Sequence, residues 1–401
     1  MSSEPSLFVV NTDVVSLDKN IETKEVILDT EQTYLILNYD HKKLNDTDHT
    51  NRRYNAVVLD PATRLILSIG SSYAYPLDAF EKMCPFDKKD LLVEEMIEGL
   101  SIQLFYDPRM KKWEISTKNA ISGNYSYYRM QTTKSPTFRE MFFDAINLDI
   151  SCELEEWAGI PFMDERCCYH FILQHPENHI VLRINTPMLY YTGCCEFMFD
   201  GTIKYTPSNL KCNFPEYLVN TPYILDTLGS YVATVEKHTL VDDNLTVMGV
   251  SFYSLSSDKR CFVLDTKYEE LQEIRGTHPN LLYQFICLKR IQKVETFLKH
   301  FPQYKKQFTE FNELYENLVI HMHTAYYEHF VKKSTKKIHK KLLHHIWQIH
   351  NLYYKPSLHD QNRLVVRKPV VHAYLREIEP GFILHILYDT QYRQDKVMSC
   401  S

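Results

Sequence analysis

The amino-acid sequence predicts an α+β fold, an antiparallel-sheet domain followed by an all-α C-terminal domain. Two observations carry that expectation. From Thr33 to Asp265 the chain is a series of short runs rich in β-branched and aromatic residues, bounded by Pro, Asn, Gly and Asp. After Arg275-Gly276 the period changes, and residues 281–354 place apolar side chains three to four apart with hardly any Gly or Pro, as amphipathic helices do. The boundaries that follow are an N-terminal segment over residues 1–30, a sheet domain over 31–276 and a helical domain over 277–395.

Strands are expected at YLILNY, NAVVLD, TRLILSIG, LSIQLFYD, KWEIST, YHFILQH, HIVLRIN and VSFYSL, with punctuation such as Asp60-Pro61 and Asp107-Pro108 between them. Thr137–Ala145 reads as a helix inserted between strands. In the helical part, Pro302 divides the first helices. Pro356 closes the long one, because the residue before a proline is biased out of the α region. Pro369–Tyr388 adds one or two more, interrupted at Pro380-Gly381.

With 401 residues, 44% of them hydrophobic and 24% charged, the chain can bury a sizeable core, and two domains are expected. The net charge of −6 argues against a generic polyanion binder, yet Lys289 to Lys341 contains twelve Lys or Arg. The sequence has neither a basic-then-apolar leader nor an apolar run of about 18 residues, so a soluble, intracellular protein without a membrane partner is expected. Ten cysteines at this density read as reduced thiols. The doublets Cys167-Cys168 and Cys194-Cys195 do not make a metal site, because neighbours on a strand point to opposite faces. The histidines clustered between His321 and His350 lack metal-ligand spacing such as H-E-x-x-H, and no bound metal is expected.

Five segments carry a family resemblance. Val93–Ile121 (VEEMIEGLSIQLFYDPRMKKWEISTKNAI) resembles a nucleotide-attachment region in which K-x-D-G-S precedes two strands and a T-[KR]-G-S-like element. Asn55–Glu81 is similar to an R-G-I-V-F-D strand with its hairpin, and Tyr169–Val181 (YHFILQHPENHIV) to F-E-x-x-x-P-x-N-R-I-V. Val247–Ser254 and Cys261–Leu271 are similar to E-G-Y-V and K-I-K-x-x-x-Y. Together they resemble the phage RNA ligase 1 type of ATP-dependent RNA ligase, over roughly residues 30–276. The resemblance implies a nucleotidyltransferase sheet domain and a helical C-terminal domain. It also implies relatives in phages and large cytoplasmic DNA viruses, hence a cytoplasmic setting in a viral factory or virion, beside RNA-processing or transcription proteins.

In that family a lysine amine attacks the α-phosphate of ATP, and carboxylates, Mg²⁺ and further lysines stabilise the charge. Here the attacking lysine falls on Met96, the F-E carboxylate on Ile172, the E-G-Y-V carboxylate on Met248 and the K-I-K lysines on Val263 and Asp265. The two arginines fall on Asn55 and His179. What remains is mostly architectural, Glu98, Gly99, Phe171, Pro176, Asn178, Gly249 and Tyr268, with Glu98 as a vestigial nucleotide-binding residue by the resemblance, Lys118 as a cation able to face a phosphate and Phe171 as a ring that either stacks a base or fills the core. The expectation is a non-catalytic, RNA-ligase-like binding or structural protein with no cofactor and an apolar pocket lined by Met96, Ile172, Met248 and Val263. The alternative is an active RNA ligase that uses a relocated lysine with ATP and Mg²⁺.

Independently of the resemblance, VKKSTKKIHKKLLHHIWQIH at Val331–His350 reads as one amphipathic helix. Lys333, Lys336, Lys337, Lys340 and Lys341 form its basic face and Val331, Ile338, Leu342, Ile346 and Ile349 its apolar stripe. That face is either solvated or a contact for the phosphates of RNA or another nucleic acid.

Overall fold

The computed structural model describes residues 18–29, 31–45, 47–126, 135–198, 200–239, 247–276, 278–335, 338, 340–358 and 364–388. The chain divides into two units, Met1–Gln272 and Glu273–Ser401. The fold class is α+β, with antiparallel sheets in the first unit and helices in the second.

Among the described residues, three sheets build the first unit. One has four strands, β1 (Ile21–Ile27), β2 (Thr33–Tyr39), β3 (Val57–Leu59) and β4 (Ile66–Ser68). A six-stranded sheet runs in the order β11 (Ile203–Pro207), β10 (Met188–Phe197), β9 (Cys167–Gln174), β6 (Leu100–Asp107), β7 (Lys112–Thr117) and β8 (Ala120–Ile121). A three-stranded sheet has the order β13 (Lys259–Leu264), β12 (Gly249–Ser254) and β5 (Leu91–Glu95). Every named pair is antiparallel.

The two-residue period of β9 assigns its faces. Tyr169, Phe171 and Leu173 enter one core with Phe142 and Trp157, while Cys168 joins Leu37, Val58 and Ile69 in another. The cysteine doublets obey the same alternation. Cys167 and Cys194 lie in the first core, Cys168 and Cys195 in the second, and Cys168 sits directly opposite Cys195. Of the helices α1 (Leu77–Met83), α2 (Phe138–Ala145) and α3 (Tyr231–Thr239) in this unit, the one expected at Thr137–Ala145 is α2, fixed at its start by a capping box in which Thr137 and Glu140 bond each other's backbone N–H.

Two sequence expectations fail here. Strand pairing begins at Ile21, inside the presumed N-terminal segment, because β1 is an edge strand whose exposed Glu22, Thr23, Lys24 and Glu25 hide the pattern. HIVLRIN forms no strand. The backbone N–H groups of Ile180, Val181 and Leu182 turn instead onto the buried carboxylate of Glu98, at 2.7 to 3.2 Å.

Beside the four-stranded sheet, Asp107 is a charge hub. It accepts from the Tyr34 hydroxyl at 2.8 Å and from Arg109 at 3.0 and 2.7 Å, and Arg109 also reaches Asp60 at 3.0 Å. Burial pushes the Asp107 carboxyl up, but the bonds from Arg109 and Tyr34 outweigh it and hold the group below the ordinary aspartate value. A depressed folded-state pKa contributes stability above the unfolded value of about 3.9 and loses it as pH falls through the folded one. Asp107→Asn is therefore expected to unfold about 2 to 3 kcal/mol more easily at pH 7. Its acid denaturation curve should be flatter than the parent's below about pH 4. Parallel curves for the two proteins would disprove the assignment.

In the second unit, α5 (Leu281–Arg290) is capped by Asn280, whose side chain accepts from the Tyr283 N–H at 3.0 Å. It is followed by α6 (Val294–His300), α7 (Lys305–Tyr326), α8 (Lys340–Ile349), α9 (Lys355–Ser357) and α10 (Lys368–Glu377), with residues 380–388 also helical. Pro302 separates α6 from α7 as expected. Pro356 does not end the chain of helical turns, which continues to Ser357 because Pro is tolerated in a first turn. Face-to-face packing of Phe297 on Phe308, with centroids 4.7 Å apart, anchors the start of α7.

The single amphipathic helix expected over Val331–His350 is not formed. Lys332 to Thr335 are non-helical, Lys333 has a left-handed φ of 52°, and α8 starts only at Lys340. The β-branched Thr335 and the crowded lysines disfavour helix there. Lys333 and Lys341 thus do not share one helix face. Lys336 and Lys337 lie outside the described residues, as does the side chain of Lys340. The apolar stripe survives within α8, where Leu342, Ile346 and Ile349 are buried.

Candidate functional site

A cavity of about 470 Å³ opens between the six-stranded and three-stranded sheets. Strand alternation supplies its walls. From the larger sheet come Ser101, His170, Ile172, Thr192 and Tyr205, and from the smaller one Glu94, Glu95, Ser251, Arg260 and Phe262. Met96, Ile97, Glu98 and Gly99, which link β5 to β6, cross the cavity, and Ser71 to Ala74 with Asn55 cover one side. Met96 and Met248 are held together by backbone pairing, with the Met248 N–H donating to the Met96 carbonyl at 3.2 Å.

Of the residues singled out from sequence, Asn55, Met96, Glu98, Gly99, Ile172, Met248 and Tyr268 line this cavity. Val263 does not. On β13 it is Arg260 and Phe262 that face the cavity, while Val263 packs against the Tyr75, Phe80 and Phe252 cluster, so the register inferred for this strand was one residue out. Asp265 is the N-cap of α4 (Thr266–Arg275), accepting from the backbone of Lys267 and Tyr268 at 2.8 and 3.1 Å. Phe171 is fully buried on the opposite face of β9, among Trp157, Tyr191 and Phe214, and cannot stack a base. Lys118 sits exposed in the β7–β8 turn with its ammonium 5.1 Å from the ring centre of Tyr73, a lining residue. The retained glycines have steric reasons. A Cβ on Gly99 would fall 2.6 Å from the Leu173 carbonyl oxygen, and one on Gly249 would collide with the Val263 carbonyl.

The expectation of an apolar cavity also fails in part, because four ionisable groups line it that sequence reasoning had not singled out. Glu94 is raised by burial and bonded by the Asn209 amide, and Glu95, also raised by burial, accepts from the Tyr223 N–H at 3.1 Å. His170 pairs with the Ser71 hydroxyl at 3.0 Å and the Ile69 carbonyl at 2.7 Å. Burial and the charge of Arg260 push His170 down to about 4, so it is neutral at pH 7, with Nε2–H donating to the carbonyl and Nδ1 accepting from Ser71. Ser71 and His170 have the spacing of a nucleophile and its base, but a base near 4 takes a hydroxyl proton poorly at neutral pH.

Arg260 is the cation of the cavity. It is 8% exposed, its guanidinium lies 4.7 Å from the Tyr205 ring and 5.7 Å from Tyr253, and its Nε is buried without a hydrogen-bond partner among the described residues. The neighbouring Asp258 is already engaged by Arg53 at 2.5 Å and by the Tyr253 hydroxyl at 2.6 Å. Only alternation along β13 betrays Arg260 in the sequence, and that needs the register. No three His, Cys, Asp or Glu side chains gather as a metal site among the described residues, and Ile172 and Met248 offer no oxygen ligand where the resemblance would require one.

Solved structures similar to this chain include ATP-dependent RNA ligases. Naegleria gruberi RNA ligase, in a variant with ATP and Mn, matches at 13% identity and a TM-score of 0.37 over 51% of this chain and 58% of that one. The same enzyme with PPi gives 12% and 0.37 over the same shares. An archaeal ATP-dependent RNA ligase gives 11% and 0.42 over 72% of this chain and 68% of its own. The chain thus spans little more than half the length of the Naegleria enzyme. Likeness at this level extends to neither ligand nor reaction. No protein-family model and no curated protein matches the sequence.

Proposed function

We propose that this chain is a non-catalytic, RNA-ligase-like binding protein whose cavity holds a phosphorylated ligand, a nucleotide or a 5′-phosphate end, without forming a bond to it. The observation that carries this reading is Arg260. Tyr205, Tyr253 and Asp258 support the charge of this guanidinium, but its Nε is buried without an acceptor among the described residues, and a phosphate oxygen would supply one. Met96, Ile172, Met248, Phe262 and Tyr73 offer apolar and aromatic surface to the rest of the ligand. A thioether at position 96 has no proton-bearing nitrogen to attack phosphorus, so the reading excludes covalent transfer at that position. RNA is the proposed macromolecular partner. A viral factory or virion, with RNA-processing or transcription proteins nearby, is the proposed setting, supported by the sequence resemblance alone. No helix among the described residues is long and apolar enough to cross a membrane.

The test combines labelling with equilibrium binding. Incubation with α-labelled ATP or GTP and Mg²⁺, followed by denaturation, is expected to leave no label on the parent or on Met96→Lys. Calorimetry with AMP and ATP should show saturable binding that Arg260→Met weakens at least about 30-fold, the effect of removing one partner from a buried charge pair. Acid-labile label retained on a lysine of the parent would establish the ligase alternative. Absence of binding by both nucleotides would remove the cavity ligand from the proposal.

A further inference from the structure

The second unit holds an aromatic cluster that neither the sheet cavity nor the lysine pattern explains. α7 passes into a π-helical turn at Tyr327–Val331, and α8 into another at His350–Tyr354. Such turns are rare and concentrate where a helix must re-aim side chains for function. Here both widened turns aim rings at each other. Phe330 and His350 stack with centroids 3.9 Å apart and planes 2° from parallel, and Tyr354 continues the stack at 4.9 Å. Trp347 stands edge-on to Phe330 at 4.9 Å and to His329 at 5.8 Å. It is 42% exposed, whereas Trp113 and Trp157 are 6% and 3% exposed in the sheet unit.

Positive charge predominates around this cluster, with Glu377 meeting Tyr353 of the second turn. Lys332, Lys333 and Lys355 are exposed on the two turns and their flanks. Burial, and then the positive charges of Lys355 and His329, hold His350 below the ordinary histidine value. Glu328, the one carboxylate among the described residues of these turns, is engaged by Lys332 at 3.1 Å. A ring fixed by other rings loses little freedom when a flat partner stacks on it, and lysines beside it attract a polyanion.

We infer that this end of the helical unit binds single-stranded nucleic acid, with an unpaired base stacked on Trp347 and phosphates met by Lys333 and Lys355. A protein partner would use the exposed Val331 and Leu352 nearby, but would leave the concentrated positive charge without a counterpart. The inference does not depend on the sheet cavity.

Because the other two tryptophans are buried, quenching of intrinsic fluorescence by a ten-residue uridine oligomer reports chiefly on Trp347 in the full-length chain. Saturable quenching is expected, and filter binding should show Trp347→Leu and an abasic oligomer of equal length each weakening the complex about tenfold. Lys333→Ala with Lys355→Ala should flatten the salt dependence by about 0.7 per lost contact. If Trp347→Leu fails to fold, the abasic comparison on the parent still decides. Equal binding of base-bearing and abasic oligomers overturns base stacking. Failure of every oligomer to bind overturns the nucleic-acid assignment and leaves the cluster to a protein partner.

Discussion

Phe171→Ala is expected to destabilise the sheet unit by about 3 to 5 kcal/mol, the range for removing a phenyl ring from a close-packed core. The ring is fully buried, with Trp157, Tyr191 and Phe214 at centroid separations of 6.1, 5.6 and 5.9 Å and Phe142 at 6.5 Å. Those neighbours belong to β10, to α2 and to the segments carrying Trp157 and Phe214, so the space cannot collapse without moving several elements. Urea unfolding at pH 7 measures the effect. Nucleotide affinity of the folded fraction should be unchanged, since the ring points away from the cavity. A variant that melts like the parent but loses nucleotide binding would restore the base-stacking role that the sequence had allowed.

A comparable loss is expected at Glu98, where the family resemblance suggested a nucleotide contact and the structure places a strut. Its carboxylate accepts from three successive N–H groups, Ile180, Val181 and Leu182, while its own carbonyl receives the Gln174 amide at 2.9 Å. Glu98→Ala would strand those donors. At about 1 to 3 kcal/mol for each buried unsatisfied group, with partial access of water, a loss of about 3 to 6 kcal/mol is expected. Glu98→Gln keeps an acceptor oxygen but turns its amide hydrogens toward the same donors, and should lose roughly half as much. Hydrogen exchange localises the effect, because residues 180–182 should lose protection first. Stability within about 0.5 kcal/mol of the parent for Glu98→Ala would mean that the segment holds itself without the carboxylate.

Arg260 shows why charge patterns along a strand need the register before they can be interpreted. Moving the inferred register by one residue exchanges Val263 for Phe262 and brings Arg260 to the cavity wall. The inferred loss of charge at Val263 and Asp265 was therefore accurate about the residues and wrong about the wall. His170 and Glu94 escaped for a similar reason. They flank the positions that the motif pattern singles out, and only the meeting of two sheets puts them in one space.

Sequence by itself determined the change of period near residue 276, the strands YLILNY, LSIQLFYD, KWEIST and YHFILQH, the capped helix after Thr137, and the arrival of Met96, Ile172 and Met248 at one cavity. These depend on local alternation, capping and turn chemistry, which act over a few residues and are written directly in neighbouring side chains. Tertiary structure alone decided that HIVLRIN is irregular, that Phe171 is core, that Val331–His350 breaks before Lys340, and that Arg260 faces the cavity while Phe330 stacks on His350. Each of those outcomes is set by a partner far away in the chain. A carboxylate 82 residues upstream claims the N–H groups that a strand would have used. The same long-range competition decides the others, because packing and buried hydrogen bonds override local preference wherever the two disagree.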